Sequence, residues 1–542
     1  MPCLFRRTLS LCLRGFALLT SLWLGALHAA SLAGPTPSTP GREIAAGPFT
    51  ATWSSLVKHE NAEWFRDAKL GIWARWDAQD VPEQGDDYAR SIYVPTLPNK
   101  RPNPTYSWHI DHFGHVSQFG FKDLLPLWKA EQWEPEKIIS LYQRAGARYF
   151  VALANDTDNF DCFDSKYQPW NSVAFGPKQD LVARWATATR AAGLRFGVSV
   201  HAAAAWTWFE PAQGYDISGP FAGRPYDGRL TISDGYAKWW RGFDPATELY
   251  AQFHQPGAKP DAAYTNKFFL RTKDLVDHYA PDLLFFGDSN LPLGDAGLAL
   301  AAHFYNTSLA VHAGPLDAVL AAPTNDPARR AAFAATHERA VAATLRPEPW
   351  QTVTSIGQWH YKTGQKYRPV GDIIRQLVDV VSKNGNLLLN VPLRGSGIPD
   401  PDEVRLLDQL SAWMAVHDEG IHATRPWKIF GEGPSLAASA PDGLLVETKL
   451  AFTPQDIRFT QTKDGGTLYA FVLAWPKDGQ ITIKSLAQSS GQPNPLEKKI
   501  GMLTLLGSAE KISWTRDATG LHVALPASAP NENACALKLT LE

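Results

Sequence analysis

The sequence predicts an α/β protein: a (β/α)8-like (TIM) barrel over residues 48–427, followed by a C-terminal β-sandwich over residues 428–542. Three observations carry this prediction. Short, nearly continuous apolar runs recur through the first two thirds of the chain, as they do in parallel strands buried on both faces. Longer amphipathic stretches separate them, and alternation on this scale suits an eight-stranded barrel of about 250 residues or more. After Trp427 the texture changes to short strand-like runs between Gly-containing turns.

The elements follow in order. Residues 1–30 read as a secretory signal. Arg6, Arg7 and Arg14 make a positive start, Phe16 to Leu27 is apolar, and Ala29, Ala30 and Ser31 supply the small residues of a cleavage site. The run is shorter than the roughly 20 apolar residues a spanning helix needs. The expected location is therefore secreted or periplasmic, with no membrane contact after signal cleavage. Residues 31–47, rich in Pro, Ser, Thr and Gly, read as a linker.

The barrel runs are Leu70–Trp76, Tyr149–Ala154, Leu194–Val200, Leu283–Phe286, Thr352–Ile356 and Leu387–Val391. Helical patterns between them include Pro135–Ala147, Lys178–Ala192 with Gly193 as its stop, and Phe268–Tyr279. In the C-terminal part, Ile457–Thr462, Thr467–Trp475, Ile481–Ile483, His522–Leu525 and Ala536–Leu541 are strand-like. Asp464-Gly465-Gly466 and Lys477-Asp478-Gly479 supply turns.

Composition removes several functional classes. Fifty-two basic and 54 acidic residues give a net charge of −2, and 44% of the 542 residues are hydrophobic. Disorder is excluded by that balance. So is phosphate-driven nucleic-acid binding, which needs a basic excess. Four cysteines are too few for a disulfide scaffold. Cys3 and Cys12 leave with the signal, and no bridge is expected between Cys162 and Cys535. The 20 Trp serve cores, but Trp also stacks on flat ligands such as sugar faces.

A barrel keeps its chemistry where its strands end. Those ends carry Arg75-Trp76-Asp77, then Asn155 to Phe160 with Asp156, Thr157 and Asp158, then His201 followed by Trp206 and Trp208, then Gly287-Asp288-Ser289-Asn290, and finally Asn390. Carboxylates, one Arg, one His and several Trp converge on one face. Paired carboxylates are what glycoside hydrolysis needs, one protonating the leaving oxygen while the other attacks or activates water. The competing reading of any single Asp here is a helix N-cap. Other chemistries have weaker signals. His109, His112 and His115 lie close together but lack an HExxH pattern or a Cys partner, so core or surface histidines are expected there. The acidic run Asp77, Asp80, Glu83, Asp86 and Asp87 lacks EF-hand spacing and reads as a solvated loop.

Several segments together resemble glycoside hydrolase family 29, the retaining α-L-fucosidases. They are Trp64 to Trp73, Ala145 to Tyr149, Asp164 to Tyr167 with Trp170-Asn171-Ser172, Lys178 to Leu181, Pro281 to Leu284, Val381 to Asn390 and Gly420 to Trp427. The resemblance implies a barrel and a β-sandwich, a glycan or oligosaccharide substrate, and no metal or other cofactor. It also assigns roles. Asp288 stands next to the family's nucleophile register, which falls on Gly287. Glu338 lies where some members carry the acid/base, and Asp156 falls on a position of the family's paired histidines. Arg75, Trp76, Asp86, Asp87, Tyr88, Thr157, His201, Trp206 and Trp208 are the expected substrate-binding set.

Scaffold positions match the family, whereas sugar-reading positions mostly do not. Arg75-Trp76-Asp77 replaces the usual His-Trp-Gly. Arg75 is donor-only and Asp156, when ionised, acceptor-only, unlike the histidines they stand for. The expected function is an exported glycosidase acting on terminal α-linked fucose or a related sugar. Two alternatives stand beside it. One is a catalytically inactive carbohydrate-binding relative. The other is a glycosidase for an acidic or sulfated sugar, with Arg75 binding the anion in bidentate fashion. An internal Arg75–Asp156 ion pair is the alternative for that arginine.

Overall fold

A computed structural model describes residues 41–287, 290–312, 314–324, 326–437, 443–447, 451–488 and 496–542. The expected signal and most of the expected linker lie outside the described residues, as does Asp288. The first strands are β1 (Leu70–Ala74), β2 (Tyr149–Asn155), β3 (Arg195–Val200), β4 (Leu283–Phe286), β5 (Val319–Pro323), β6 (Ala334–Glu338), β7 (Ala340–Ala342), β8 (Trp350–Ser355) and β9 (Gly385–Asn390). All but β7 close into a parallel barrel in the order β1-β2-β3-β4-β5-β6-β8-β9. Closure is set by β1, whose Trp73 stands opposite Val151 of β2 on one side and Asn390 of β9 on the other.

Alternation along the strands divides the core in two. Trp73, Tyr149, Val151, Leu153, Leu283, Phe285, Val353 and Leu388 fill the barrel interior. Ile72, Ala74, Phe150, Ala152, Leu284, Phe286, Leu387 and Leu389 face the surrounding helices. Both faces are therefore apolar, which is why the runs read as nearly continuous. Among the helices, Val370–Ser382 buries Ile373, Ile374, Leu377, Val378 and Val381, the helical repeat of an apolar stripe. Helix Pro401–Ile421 starts at a capping box in which Asp400 and Glu403 satisfy each other's backbone N–H groups.

The remaining strands are β10 (Arg425–Glu432), β11 (Leu444–Val446), β12 (Ile457–Gln461), β13 (Thr467–Val472), β14 (Gln480–Ile483), β15 (Ile500–Leu505), β16 (Ser513–Asp517), β17 (Gly520–Ala524) and β18 (Cys535–Leu541). They form a five-stranded sheet, β10-β12-β13-β18-β15, and a three-stranded sheet, β14-β17-β16, all antiparallel. Residues of both sheets, including Phe459, Leu468, Ile481, Ile483, Leu521 and Leu537, share one core. This is the expected sandwich. It begins slightly earlier than expected, because Arg425–Trp427 already belong to β10. It is tied back to the barrel region where β11 pairs with β7. A buried ion cluster makes a second tie: Asp379 accepts from Lys383 Nζ at 2.7 Å and from Arg458 Nε of β12 at 2.6 Å.

Cys162 and Cys535 are both buried and free. The expectation of a solvated acidic loop needs correcting: Asp77 and Asp80 are buried. Asp77 caps the short turn Ala78–Asp80 by accepting from Gln79 N at 2.7 Å through Oδ1, while Asp80 accepts from Asp77 N at 3.1 Å and from Tyr361 N at 2.8 Å, so backbone groups take both oxygens of Asp80 and one of Asp77. The three neighbouring histidines separate. His109 bonds Tyr88 Oη at 2.7 Å, His112 stacks on Trp108, and His115 reaches Asp216 at 2.9 Å.

Candidate active site

The inward alternation of each strand decides what stands at the barrel mouth. Trp73 is the last inward apolar residue of β1, and the next inward position is Arg75. Ser199 of β3, which accepts from Trp73 Nε1 at 3.0 Å, is followed on the same side by His201. Leu283 and Phe285 of β4 are followed by Gly287. Asn390 closes the circle from β9. It accepts from Arg75 N at 3.0 Å and donates to Ser355 Oγ at 3.0 Å and Trp359 O at 2.9 Å.

Arg75 and Asp156 form a bidentate ion pair, Nε to Oδ2 at 2.6 Å and Nη2 to Oδ1 at 2.7 Å. The arginine side chain is 14% exposed and the aspartate fully buried. Thr157 braces the pair, its backbone N–H donating to Asp156 Oδ1 at 2.7 Å. Burial opposes ionisation of Asp156, but the Arg75 guanidinium outweighs it and holds the carboxyl well below the usual range. Reciprocally, Asp156 raises the Arg75 pKa against the cost of burial.

His360, on the loop after β8, completes the cluster. Its Nε2 lies 3.4 Å from Asp156 Oδ2 and 3.7 Å from Asp77 Oδ2. Asp86 positions it by accepting the His360 backbone N–H at 2.9 Å, and Asp80 accepts that of Tyr361 at 2.8 Å. Burial disfavours its charge, yet Asp80, Asp77 and Asp156 push the imidazole well above the ordinary histidine pKa. Two carboxyls move the opposite way from Asp156. Burial raises Asp158 and Asp80 well above the usual range, and Asp77 adds to both shifts. The pocket therefore holds Arg75 and His360 as cations, Asp156 as their anion, and Asp158 and Asp80 biased toward neutral acids.

His201 carries no charge near neutral pH, because burial brings its pKa down to about 4. Its ring lies parallel to Trp73 at 5.5 Å. It also occupies the space at Gly287: a Cβ built there would fall 2.8 Å from His201 Nε2 and closer still to Cε1 and Nδ1. A side chain and the imidazole exclude each other at this point.

Asp77, Asp156 and His360 offer donor atoms within 4.8 Å of one another, close enough in distance to surround a cation. Their chemistry does not suit one. Asp156 is already bidentate to Arg75, and the adjoining His360 is held protonated, so an added cation would meet two positive groups.

The other expected binding residues are placed as follows. Trp76 is buried between Trp128 and Trp133 and donates to Arg394 O at 3.0 Å. Trp206 is buried against His254 and donates to Ala258 O at 2.7 Å. Neither presents a face for sugar stacking, so that expectation is corrected for both, while Trp208 is half-buried. Tyr88 is buried on His109, and Asp87 is exposed at the start of the helix Tyr88–Ser91. Glu338 ends β6 in the inward alternation of Ala334 and is exposed at the rim. Its neighbour Arg339 lies 4.6 Å over the ring of Trp359, a half-buried tryptophan resting on Trp73. Trp359 and His360 escaped the sequence reading. The available signal was their position just after the run Thr352–Ile356.

Comparison with known proteins places this architecture. The alpha-L-fucosidase family profile matches residues 38–419, and that of the alpha-L-fucosidase C-terminal domain matches residues 451–542. Rat tissue alpha-L-fucosidase is 24% identical over 518 residues, covering 91% of this chain and 92% of its own. Human plasma alpha-L-fucosidase is 25% identical over 508 residues, covering 90% of each. The fold matches Thermotoga maritima alpha-fucosidase with a TM-score of 0.66 at 24% identity, over 91% of this chain and all of that one. The same protein in complex with fucose gives a TM-score of 0.64 at 23% identity over the same shares. The chain therefore belongs to the alpha-L-fucosidase family, glycoside hydrolase family 29.

Proposed function

We propose that the protein is an exported glycosidase that removes a terminal α-linked fucose or a closely related sugar from a glycan. The observation that carries this reading is family membership over nearly the whole chain, joined to a charged constellation at the barrel mouth. In the proposed chemistry Asp288 supplies the nucleophilic carboxylate and Glu338, exposed at the rim, the proton donor. Asp156, committed to Arg75, serves to hold the arginine and His360 in place. The Arg75 fork is filled from inside, so an acidic or sulfated sugar has little to bind there. Trp359 takes over the stacking role once expected of Trp76 and Trp206.

The test is hydrolysis of 4-nitrophenyl α-L-fucoside alongside a panel of other aryl glycosides by the purified mature protein. Turnover of the fucoside or of a related α-glycoside supports the reading, and silence across the panel removes it. Export is tested separately: N-terminal sequencing of the secreted chain should find cleavage near Ala29 or Ala30.

One observation favours a second reading. Gly287 takes the inward position just past β4 with His201 filling its space, so no carboxylate stands at that position, as in a relative that binds a glycan without cleaving it. Glycan retention without hydrolysis would support that reading.

A further inference from the structure

Between β3 and the helix Ala262–Tyr279 the chain runs about 60 residues at the end of the barrel that carries the candidate site. This insertion is tied to the site loops: Asn159 Nδ2 donates to Leu249 O at 2.9 Å, and Arg90 Nη1 to Trp208 O at 3.3 Å. Within it, Trp240 is buried, and Gly235 lets the backbone press against the Trp240 ring, where a Cβ would lie 2.6 Å away. That turn sends Tyr236 and Trp239 outward, 76% and 42% exposed.

Trp239 is exposed but not loose. Its Nε1 donates to Asp123 Oδ1 at 2.9 Å, and Asp123 is in turn fixed by Lys122 at 2.5 Å. Beneath, it meets Trp170 and Phe175 edge-on at 6.1 and 5.5 Å. Arg241 lies 5.2 Å over the Tyr236 ring. Rigid aromatic rings with polar handles, held at low entropic cost, are the groups that stack on amphipathic ligands.

A short helix leads from these rings to a neighbouring cleft. Asp123 belongs to the short helix Phe121–Leu127, whose far end is about 8 Å along at roughly 2 Å per residue. Leu127 there is exposed and lines a polar cleft of about 390 Å³ with Glu83, Lys129 and Arg394. On its inner side Arg394 O accepts from Trp76, and the backbone at Gly395 abuts that of Asp80. Its size falls in the range of roughly 300–1,000 Å³ found for ligand pockets.

We propose that Tyr236 and Trp239, on an insertion tied to the loops of the candidate site, form an outer glycan-binding platform that holds the chain beyond the terminal sugar. The proposal rests on the reading of a glycan as substrate, but not on hydrolysis.

Affinity electrophoresis in gels containing fucosylated xyloglucan or fucoidan tests it. The wild-type protein should be retarded by at least one polysaccharide. Trp239→Ala should weaken that retardation about tenfold, and Trp239→Phe should largely restore it. Turnover of aryl glycosides by Trp239→Ala should stay within about twofold of wild type, because they do not reach the platform. Equal retardation of Trp239→Ala and wild type, at matching Tm, overturns the proposal. So does wild-type protein that neither polysaccharide retards, or a Trp239→Ala variant whose main change is loss of self-association. If no aryl glycoside is turned over while Trp239→Ala still loses retardation, the platform stands and the hydrolase reading falls.

Discussion

His201 stands where a side chain at position 287 would project, so the imidazole just past β3 fills the space that only a glycine just past β4 leaves open. The two positions are packed as one unit. Gly287→Ala should overpack the mouth and destabilise the protein by about 1–3 kcal/mol. In a His201→Ala background the same substitution should cost little or nothing. Urea denaturation of the four variants measures the coupling, and additive effects would refute the shared space.

Arg75 and Asp156 form a pair whose members depend on each other. Removing the arginine leaves a buried carboxylate without its bidentate partner, with His360 Nε2 at 3.4 Å as the remaining cation. Arg75→Ala should therefore cost about 3–5 kcal/mol, and adding Asp156→Asn should recover much of that loss. A double mutant no more stable than Arg75→Ala alone would speak against the pair as the main partner of either group.

The mouth also fixes a pH signature. Below about pH 3.9 Asp158 is protonated in both folded and unfolded chains. As pH rises, the unfolded chain ionises first while the buried acid keeps its proton, so stability falls until the raised folded pKa is passed. His360 acts in the same direction: its contribution is present below about pH 6.5 and is lost as pH rises through its raised pKa. Asp156 acts oppositely, contributing above about pH 3.9 and losing that contribution as pH falls through its depressed value. Asp158→Asn can keep the bond its Oδ1 accepts from Phe160 N and removes the acid. The variant should gain on wild type at pH 8 and lose that advantage near pH 3. Thermal unfolding at the two pH values checks it.

Asp379, Lys383 and Arg458 bind the barrel helix Val370–Ser382 to β12. Arg458→Met removes one cation of a buried triad, leaves Asp379 paired with Lys383, and should destabilise by about 1–3 kcal/mol through the hydrogen-bond partners left behind. Denaturation monitored by tryptophan fluorescence measures the loss. A midpoint within error of wild type would show that apolar packing alone joins the two parts.

Six barrel strands were legible because Leu, Val, Ile and Phe fill both faces of their runs. Val319–Pro323 and Ala334–Glu338 were not, since short stretches of Ala with Thr, His and Pro carry little strand signal. Ser513–Asp517 escaped for another reason, lying at the edge of its sheet with mostly exposed side chains. At the site, Arg75, Asp156 and His201 could be listed from strand ends alone, and the Arg75–Asp156 pair was one of two expected outcomes. The charge state of the pocket was not legible. It depends on His360 arriving from a loop more than 200 residues after Asp156, and on Asp77 and Asp80 turning inward to cap a short turn rather than outward to water. The burial of Trp76 and Trp206 was likewise invisible, because both follow strand ends as mouth residues do.

The most direct measurement is kcat/KM on 4-nitrophenyl α-L-fucoside and related aryl α-glycosides for the wild-type protein and Asp288→Asn. The wild type should turn over at least one of these, and the variant should lose that turnover. Equal rates in both would contradict the proposed nucleophile, and no turnover by the wild type on any member of the panel would contradict the proposed glycosidase activity itself.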